Sequence, residues 1–442
     1  MKIFKKCPNT TDHWIIISLL VSVFGFLKEF RPSEPFIYEF LTGGWKNVTQ
    51  DQVMQEVYPV GTYSYLALLI VVFLATDICR YRVLIVLLAA SGVVVWGLLL
   101  WTTDLFELQI GQVFFGVFAA CEVAYFTYIY AKVDKEYIQQ VTSHTRAAIL
   151  AGRAFSSILG QVLISFNAMN FYELNYITFS AMIAATIWSL FLPPVKKSIY
   201  FHKDVSQKTF AEKSRAAFSL IWYHLRDGYS NKYLIKWSVW WALSTTGFIQ
   251  VQIYMQTLWQ DIVNDPSVSI YNGAVESILT VIGFLGALAA GALKVDWKTR
   301  GELALTCCSL MQGFAMLISS QTSHVMVSYA CYIVFGALYH LTITVASSEI
   351  AKVIQEDSYG LIFGINTFVA LLIQAILTVL VVSDGVGFAL PPRQQYFVYG
   401  VFHVVLGFIY IVVGLTSWLI SKRDYRRASC VPDPPARSVI IY

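Results

Sequence analysis

What this chain has least of is charge. Of its 442 residues only 13% are Asp, Glu, Lys or Arg, about half the quarter that a soluble domain usually carries. With 57% hydrophobic residues, 15% aromatics and a mean hydropathy of +0.60, there is too little polar surface to clothe the protein in water. That excludes an ordinary soluble fold and leaves an all-α polytopic membrane protein. Chemistry-bearing motifs are missing as well. No Walker loop, G-x-S-x-G elbow or HExxH pair occurs, which argues against an enzyme, a nucleotide-driven pump and a resident cofactor. The seven cysteines form no CxxC or Cys/His spacing, so neither a metal site nor a disulfide framework is expected. Net charge is a modest +4 and sits in clusters beside apolar runs, not in a stripe suited to nucleic acid. The N-terminus lacks a cleavage site of small residues, so the first apolar run is expected to be a retained span.

What is present is a series of apolar runs. A helix needs about 20 mainly apolar residues to cross the hydrocarbon core, and on that basis the chain offers twelve candidates. Six lie within 14–193 and six within 234–420, flanking a polar, basic segment at 194–233. A short segment, 1–13, precedes them and a basic tail, 421–442, follows. Two six-helix halves joined by one long loop predict the major-facilitator architecture. Phe210, Phe218, Ile221, Trp222 and Leu225 share a face in the joining segment, which predicts an amphipathic helix there.

Lysine and arginine placement sets orientation. "MKIFKK", "DICRYR", the central segment, "KVDWKTR" and "SKRDYRR" alternate with acidic or neutral loops, which puts both termini in the cytosol. The sequon Asn47-Val48-Thr49 then faces outside and is a candidate for glycosylation. "TDICRYR" and "KVDWKTR" occupy equivalent places in the two halves. The repeat predicts that an acid followed by arginines pins helix ends in one carrier state, with Asp77 and Arg146 as a latch.

Ionisable groups at mid-bilayer cost roughly 2.5 kcal/mol or more each. Glu34, Glu122, Arg146, Arg153, Glu276 and Glu349 are the clearest instances, the last close to a helix end. In "KEFRPSEPF", Pro32 and Pro35 break the helix that starts near Trp14. Lys28 lies only about 21 Å along that helix at 1.5 Å per residue, short of a full crossing. A broken membrane helix is tolerated where buried protein or a wet cavity satisfies its backbone, so Glu34 is expected to face a cavity. Glu122 and Tyr125 are i and i+3 on one helix face, a pairing of carboxylate and ring that suits a flat cation. The bland alternative is a structural ion pair from Glu122 to Arg146 or Arg153. Glu276, beside Asn272, could contact a ligand or simply cap its helix.

"RPSEPF", "NVT", "TYSYLALL", "TDICRY", "EVAYFTYIY", "SIYNGAVE" and "FGINTFVALLIQ", in this order from about Trp14 to Gly414, closely resemble the reduced folate carrier family, which holds folate and thiamine carriers. The resemblance implies a twelve-helix plasma-membrane transporter of a small-molecule vitamin. Folate carriers of the family have a basic residue in place of Glu122, an arginine near Gly336 and a lysine in place of Gln374. Thiamine carriers have Glu and Gln at 122 and 374, as here. The resemblance implies Glu34, Glu122, Tyr125 and Asn272 as thiamine contacts and Tyr58 as a stacking residue. One departure is Gly61, where thiamine carriers have tryptophan. A folate carrier using Arg146 or Arg153, and a non-transporting vitamin sensor, remain alternatives; coupling to a proton or an organic anion is compatible with either carrier.

Overall fold

The computed structural model describes residues 10–46, 48–79, 81–133, 137–195, 210–263, 271–292, 295–354 and 358–429. Asn47 lies outside them, as does the side chain of Asp77. Among the described residues there is no strand. The helices are α1 (Thr10–Glu29), α2 (Ile37–Thr42), α3 (Gln50–Gln52), α4 (Tyr58–Ile78), α5 (Arg82–Trp101), α6 (Leu105–Lys132), α7 (Ile138–Ser165), α8 (Phe171–Ser189), α9 (Phe210–Gly228), α10 (Lys232–Val263), α11 (Asn272–Ala292), α12 (Trp297–Gln321), α13 (Val325–Ala351), α14 (Tyr359–Val381) and α15 (Pro392–Ser429).

Eight of these are long and apolar enough to cross a membrane. They are α5, α6, α7, α12, α13, α14, α15 and the continuous run of α3, a π-helical turn (Val53–Val57) and α4. The other four predicted spans correspond in order to α1, α8, α10 and α11, of 20, 19, 32 and 21 residues. At least one of these four buries polar groups that lower its hydropathy. In α10, Ser238, Ser244, Thr245, Thr246 and Gln250 are all buried. The buried apolar side chains gather in three clusters: one within residues 17–195, the other two within 234–410.

Lipid tails are as apolar as leucine, so helix association here rests on close packing and hydrogen bonds. Glycine supplies the closest approach. A Cβ on Gly160 of α7 would stand 2.5 Å from the Pro32 carbonyl oxygen, and one on Gly152 2.5 Å from that of Phe26. These two positions let α7 lie directly against the broken first helix.

The interruption itself follows from its prolines. Pro32 and Pro35 donate no backbone hydrogen bond, and the chain between α1 and α2 runs through tight turns and a 3-10 turn at Glu34–Phe36. The groups left over, with the Ser33 side chain, find partners on four other helices. The Glu29 carbonyl accepts from Ser156 Oγ (3.3 Å) and the Glu34 carbonyl from Gln256 Nε2 (3.2 Å), while the Tyr38 amide donates to Gln256 Oε1 (3.0 Å). Ser33 donates through its amide to Thr178 Oγ1 (3.3 Å) and accepts at Oγ from Trp96 Nε1 (3.2 Å). The broken segment is thus a built part of the core.

One expectation for helix ends needs correction. Asp296 is no latch: it caps α12, accepting from the Lys298 amide (3.1 Å) and the Thr299 hydroxyl (2.7 Å). Those hydrogen bonds, Thr299's first, hold its carboxyl below the usual range. Arg146 is exposed on α7. In α9, Phe218 and Trp222 of the expected apolar face are exposed and do not pack on the bundle, whereas Ala217 and His224 are buried.

Candidate functional site

Three of the four charges of "KEFRPSEPF" do not sit in water. Lys28 is 0% exposed, Glu29 4% and Arg31 5%, at the point where α1 ends and meets α6 and α7. Glu29 is the hub. Its Oε1 accepts from Lys28 Nζ (2.6 Å), and its Oε2 from Arg31 (2.8 Å) and from Arg153 of α7 (2.9 Å). Lys28 reaches on to Glu122 of α6, and Arg31 to Glu34 (3.0 Å). A carboxylate shared by three cations is short of negative charge, and Glu34 and Glu122 supply the remainder. Three bases face three acids, so the cluster balances, as buried charges must.

Its two sides differ. Lys28 and Arg31 are sealed, Arg153 is 29% exposed, and the side chains of Glu122 and Glu34 are 32% and 44% exposed. The accessible face of the cluster is therefore mainly carboxylate. Glu276 on α11 adds a fourth acid within electrostatic reach of Arg153 and Glu34. It accepts from the Tyr332 hydroxyl (2.6 Å), so it is not merely a helix cap.

Glu122 does form an ion pair, though not with the arginines of the alternative reading. Neither Arg146 nor Arg153 pairs with it; Lys28 does, because Arg153 is turned to Glu29. Tyr125 lies beneath the same contact, with Lys28 Nζ 5.6 Å from its ring centroid. Its hydroxyl donates to the Val21 carbonyl (2.9 Å), which fixes the fully buried ring against α1.

The remaining predicted residues lie apart from this cluster. Tyr58 packs edge-on against Tyr254 of α10, centroids 5.9 Å apart. Asn272 donates to Glu39 Oε1 (2.7 Å) and accepts from the Tyr329 hydroxyl (3.0 Å). Glu39 escaped the sequence reading. It is a lone acid between aromatics in "FIYEFL", and that isolation in an apolar stretch was the available signal. Gln256, which satisfies the helix break, carried no such signal, since glutamine is common in any helix. The room left by Gly61 is taken by Gln112, whose Oε1 would stand 2.5 Å from a Cβ there. Gln374 is held by hydrogen bonds to Thr62 Oγ1 (3.2 Å) and Gln250 Oε1 (3.0 Å).

Among the described residues, the hydrogen bonds joining α1–α8 to α10–α15 lie at mid-membrane or toward the face opposite the central segment. They include Tyr38 and Glu34 with Gln256, Glu39 with Asn272, Gln55 with the Val382 carbonyl (2.6 Å), and Ala274 N with Gln161 (3.1 Å). Together they tie the two groups of helices to each other there.

Comparison with known proteins bears on what such a cluster serves. The family profile described as reduced folate carrier matches residues 12–217 and 204–398. Thiamine transporter 2 of Homo sapiens is 36% identical, over 91% of this chain and 90% of that protein. Thiamine transporter 1 of Mus musculus is 34% identical over 95% and 93%. Folate transporter 1 of Caenorhabditis elegans is 37% identical over 92% and 94%. Among solved structures, a POT family transporter in complex with 5-aminolevulinic acid superposes with a TM-score of 0.66 at 12% identity, covering 90% of this chain and 96% of that one. A bacterial homolog of the human lysosomal transporter Spinster superposes with a TM-score of 0.62 at 13% identity, covering 93% and 98%. These two share the fold, a transporter architecture of the major-facilitator type.

Proposed function

From the premise that this chain belongs to the reduced folate carrier family, we propose that it takes up a vitamin across the plasma membrane by alternating access, with thiamine as the cargo. The observation that carries this reading is the face the charge cluster presents. Its most accessible groups are the carboxylates Glu122 and Glu34, with Glu276 nearby, while Lys28 and Arg31 lie beneath. A monocation such as a thiazolium meets Glu122 at this face, in the place above the Tyr125 ring that Lys28 Nζ now holds.

In this reading α1–α8 and α10–α15 rock about the cluster, and the hydrogen bonds of Gln256, Asn272 and Gln55 hold the extracellular side shut in the present state. The basic clusters of the central segment and both termini place those parts in the cytosol. Asn47 is then extracellular and open to glycosylation, and Tyr58 and Asn272 approach the cargo in a state with the extracellular side open. Asp77 and Arg146 form the cytosolic latch.

A second reading, a folate carrier, draws on Arg153, whose guanidinium is partly accessible and suits a carboxylate. Uptake of radiolabelled thiamine, pyridoxine, folate and reduced folate by cells expressing the wild type and Glu122→Gln decides between them. The thiamine reading expects thiamine uptake that falls in Glu122→Gln. Folate uptake that survives Glu122→Gln and is not competed by thiamine overturns it.

A further inference from the structure

The pair that suits a cationic guest, Glu122 with the Tyr125 ring, already holds a cation supplied by the chain. Lys28 Nζ contacts Glu122 and stands 5.6 Å from the Tyr125 centroid. Lys28 is fully buried, and its second contact is Glu29 at 2.6 Å. A lysine bound only to keep α1 in place would be satisfied by Glu29, its neighbour in sequence. Reaching Glu122 as well neutralises the one acid of the cluster that projects from α6.

We propose that Lys28 is a tethered counter-cation that keeps the empty site neutral, so that the unloaded carrier returns across the membrane without a second cargo in exchange. The inference rests on the cation-carrier reading above. A cationic guest at Glu122 displaces the ammonium toward Glu29, and on release the ammonium returns. Without it, each return of the empty carrier would enclose a carboxylate with no counter-charge. Removing one member of a buried pair leaves the other uncompensated, a heavier penalty than the pair itself ever repays. Such a carrier turns over only when a cation is bound on both strokes, which is obligatory exchange. Lys28 thus acts on the direction of net flux through Glu122, as a positioning residue.

The test is reconstitution of the full chain in vesicles with radiolabelled thiamine, measured two ways: net uptake into empty vesicles, and counterflow into vesicles preloaded with unlabelled thiamine. The wild type is expected to show both. In Lys28→Met the ratio of net uptake to counterflow should fall at least about tenfold, in keeping with the burial of an unpaired charge, and Lys28→Arg should restore most of it. Lys28→Gln, uncharged but still a donor, is read in the same way should the Met variant not reconstitute. An unchanged ratio, or two fluxes that fall together, overturns the inference and leaves Lys28 a structural residue. A wild type that shows only counterflow also overturns it while the proposed cargo stands. A wild type that moves thiamine in neither assay removes the proposed function and the inference together.

Discussion

The N-terminal and C-terminal groups of helices use charge in opposite ways. In the N-terminal group the charges of the proline-broken segment after α1 meet Glu122 and Arg153 from well inside α6 and α7, and form a cluster with an accessible acidic face. In α10–α15 the ion pairs lie at helix ends. Lys236 meets Glu302 (2.5 Å) where α10 and α12 begin, Glu349 meets Lys352 (2.5 Å) and the Tyr233 hydroxyl where α13 finishes, and Asp261 meets Arg393 (3.0 Å) at the opposite ends of α10 and α15. Between those ends the C-terminal group turns to neutral groups, Gln250, Gln374, Thr378 and Tyr399, bonded to one another at 2.9–3.1 Å. Charges are cheap where they reach the interface and costly at mid-bilayer. The contrast teaches that, among the described residues, the costly charges gather in the N-terminal group, with Glu276 of α11 facing them, which is where a charged cargo belongs.

The comparison can be broken most forcefully at Glu29. Glu29→Gln removes the carboxylate shared by Lys28, Arg31 and Arg153, and loss of one partner of a buried ionic group costs about 3–5 kcal/mol. Surface abundance and the melting temperature in detergent should both collapse; a normal melt would show that water, not Glu29, solvates those bases. Next in size, the double change Glu34→Gln with Glu122→Gln should lower thiamine kcat/KM by about tenfold or more with abundance held near normal, since truncating a desolvated charge contact typically costs at least 2 kcal/mol. Retained uptake would move the site elsewhere.

Asn272→Ala tests the seam between the two groups. It leaves Glu39 buried without its donor, a penalty of about 1–3 kcal/mol, and should shift the carrier toward an open far face. Faster labelling of a cysteine placed at Glu34 would register the shift. The smallest effect is expected at Arg393→Gln in the C-terminal group. Both members of that pair are more than a third exposed, and surface pairs contribute about 0–1 kcal/mol, so the melt should hardly move. A large loss there would erase the distinction between the two groups.

Several of these features could be read directly from residues. Two prolines within four positions announced the break after α1, because proline cannot donate a backbone hydrogen bond. Glu122, Arg153 and Glu276 stood out because each is a lone charge in an apolar run. Pairing was a different matter. Lys28, Glu29 and Arg31 fell at the expected break, but nothing in a linear stretch tells which partners such charges find. Glu39 and Gln256, which lie 217 positions apart and serve the same seam, share no local pattern at all.

The chain's composition and periodicity were enough to establish a helical membrane protein with a broken first helix and costly acids at known positions, because hydropathy and proline chemistry act within one or two turns. Which acid holds which base was decided only on folding. Gly152 and Gly160 admit α7 to the backbone of the break, Arg153 is thereby delivered to Glu29, and Lys28 is left for Glu122. Electrostatic partnership depends on distance through space, and that distance is set by how closely separate helices are allowed to pack.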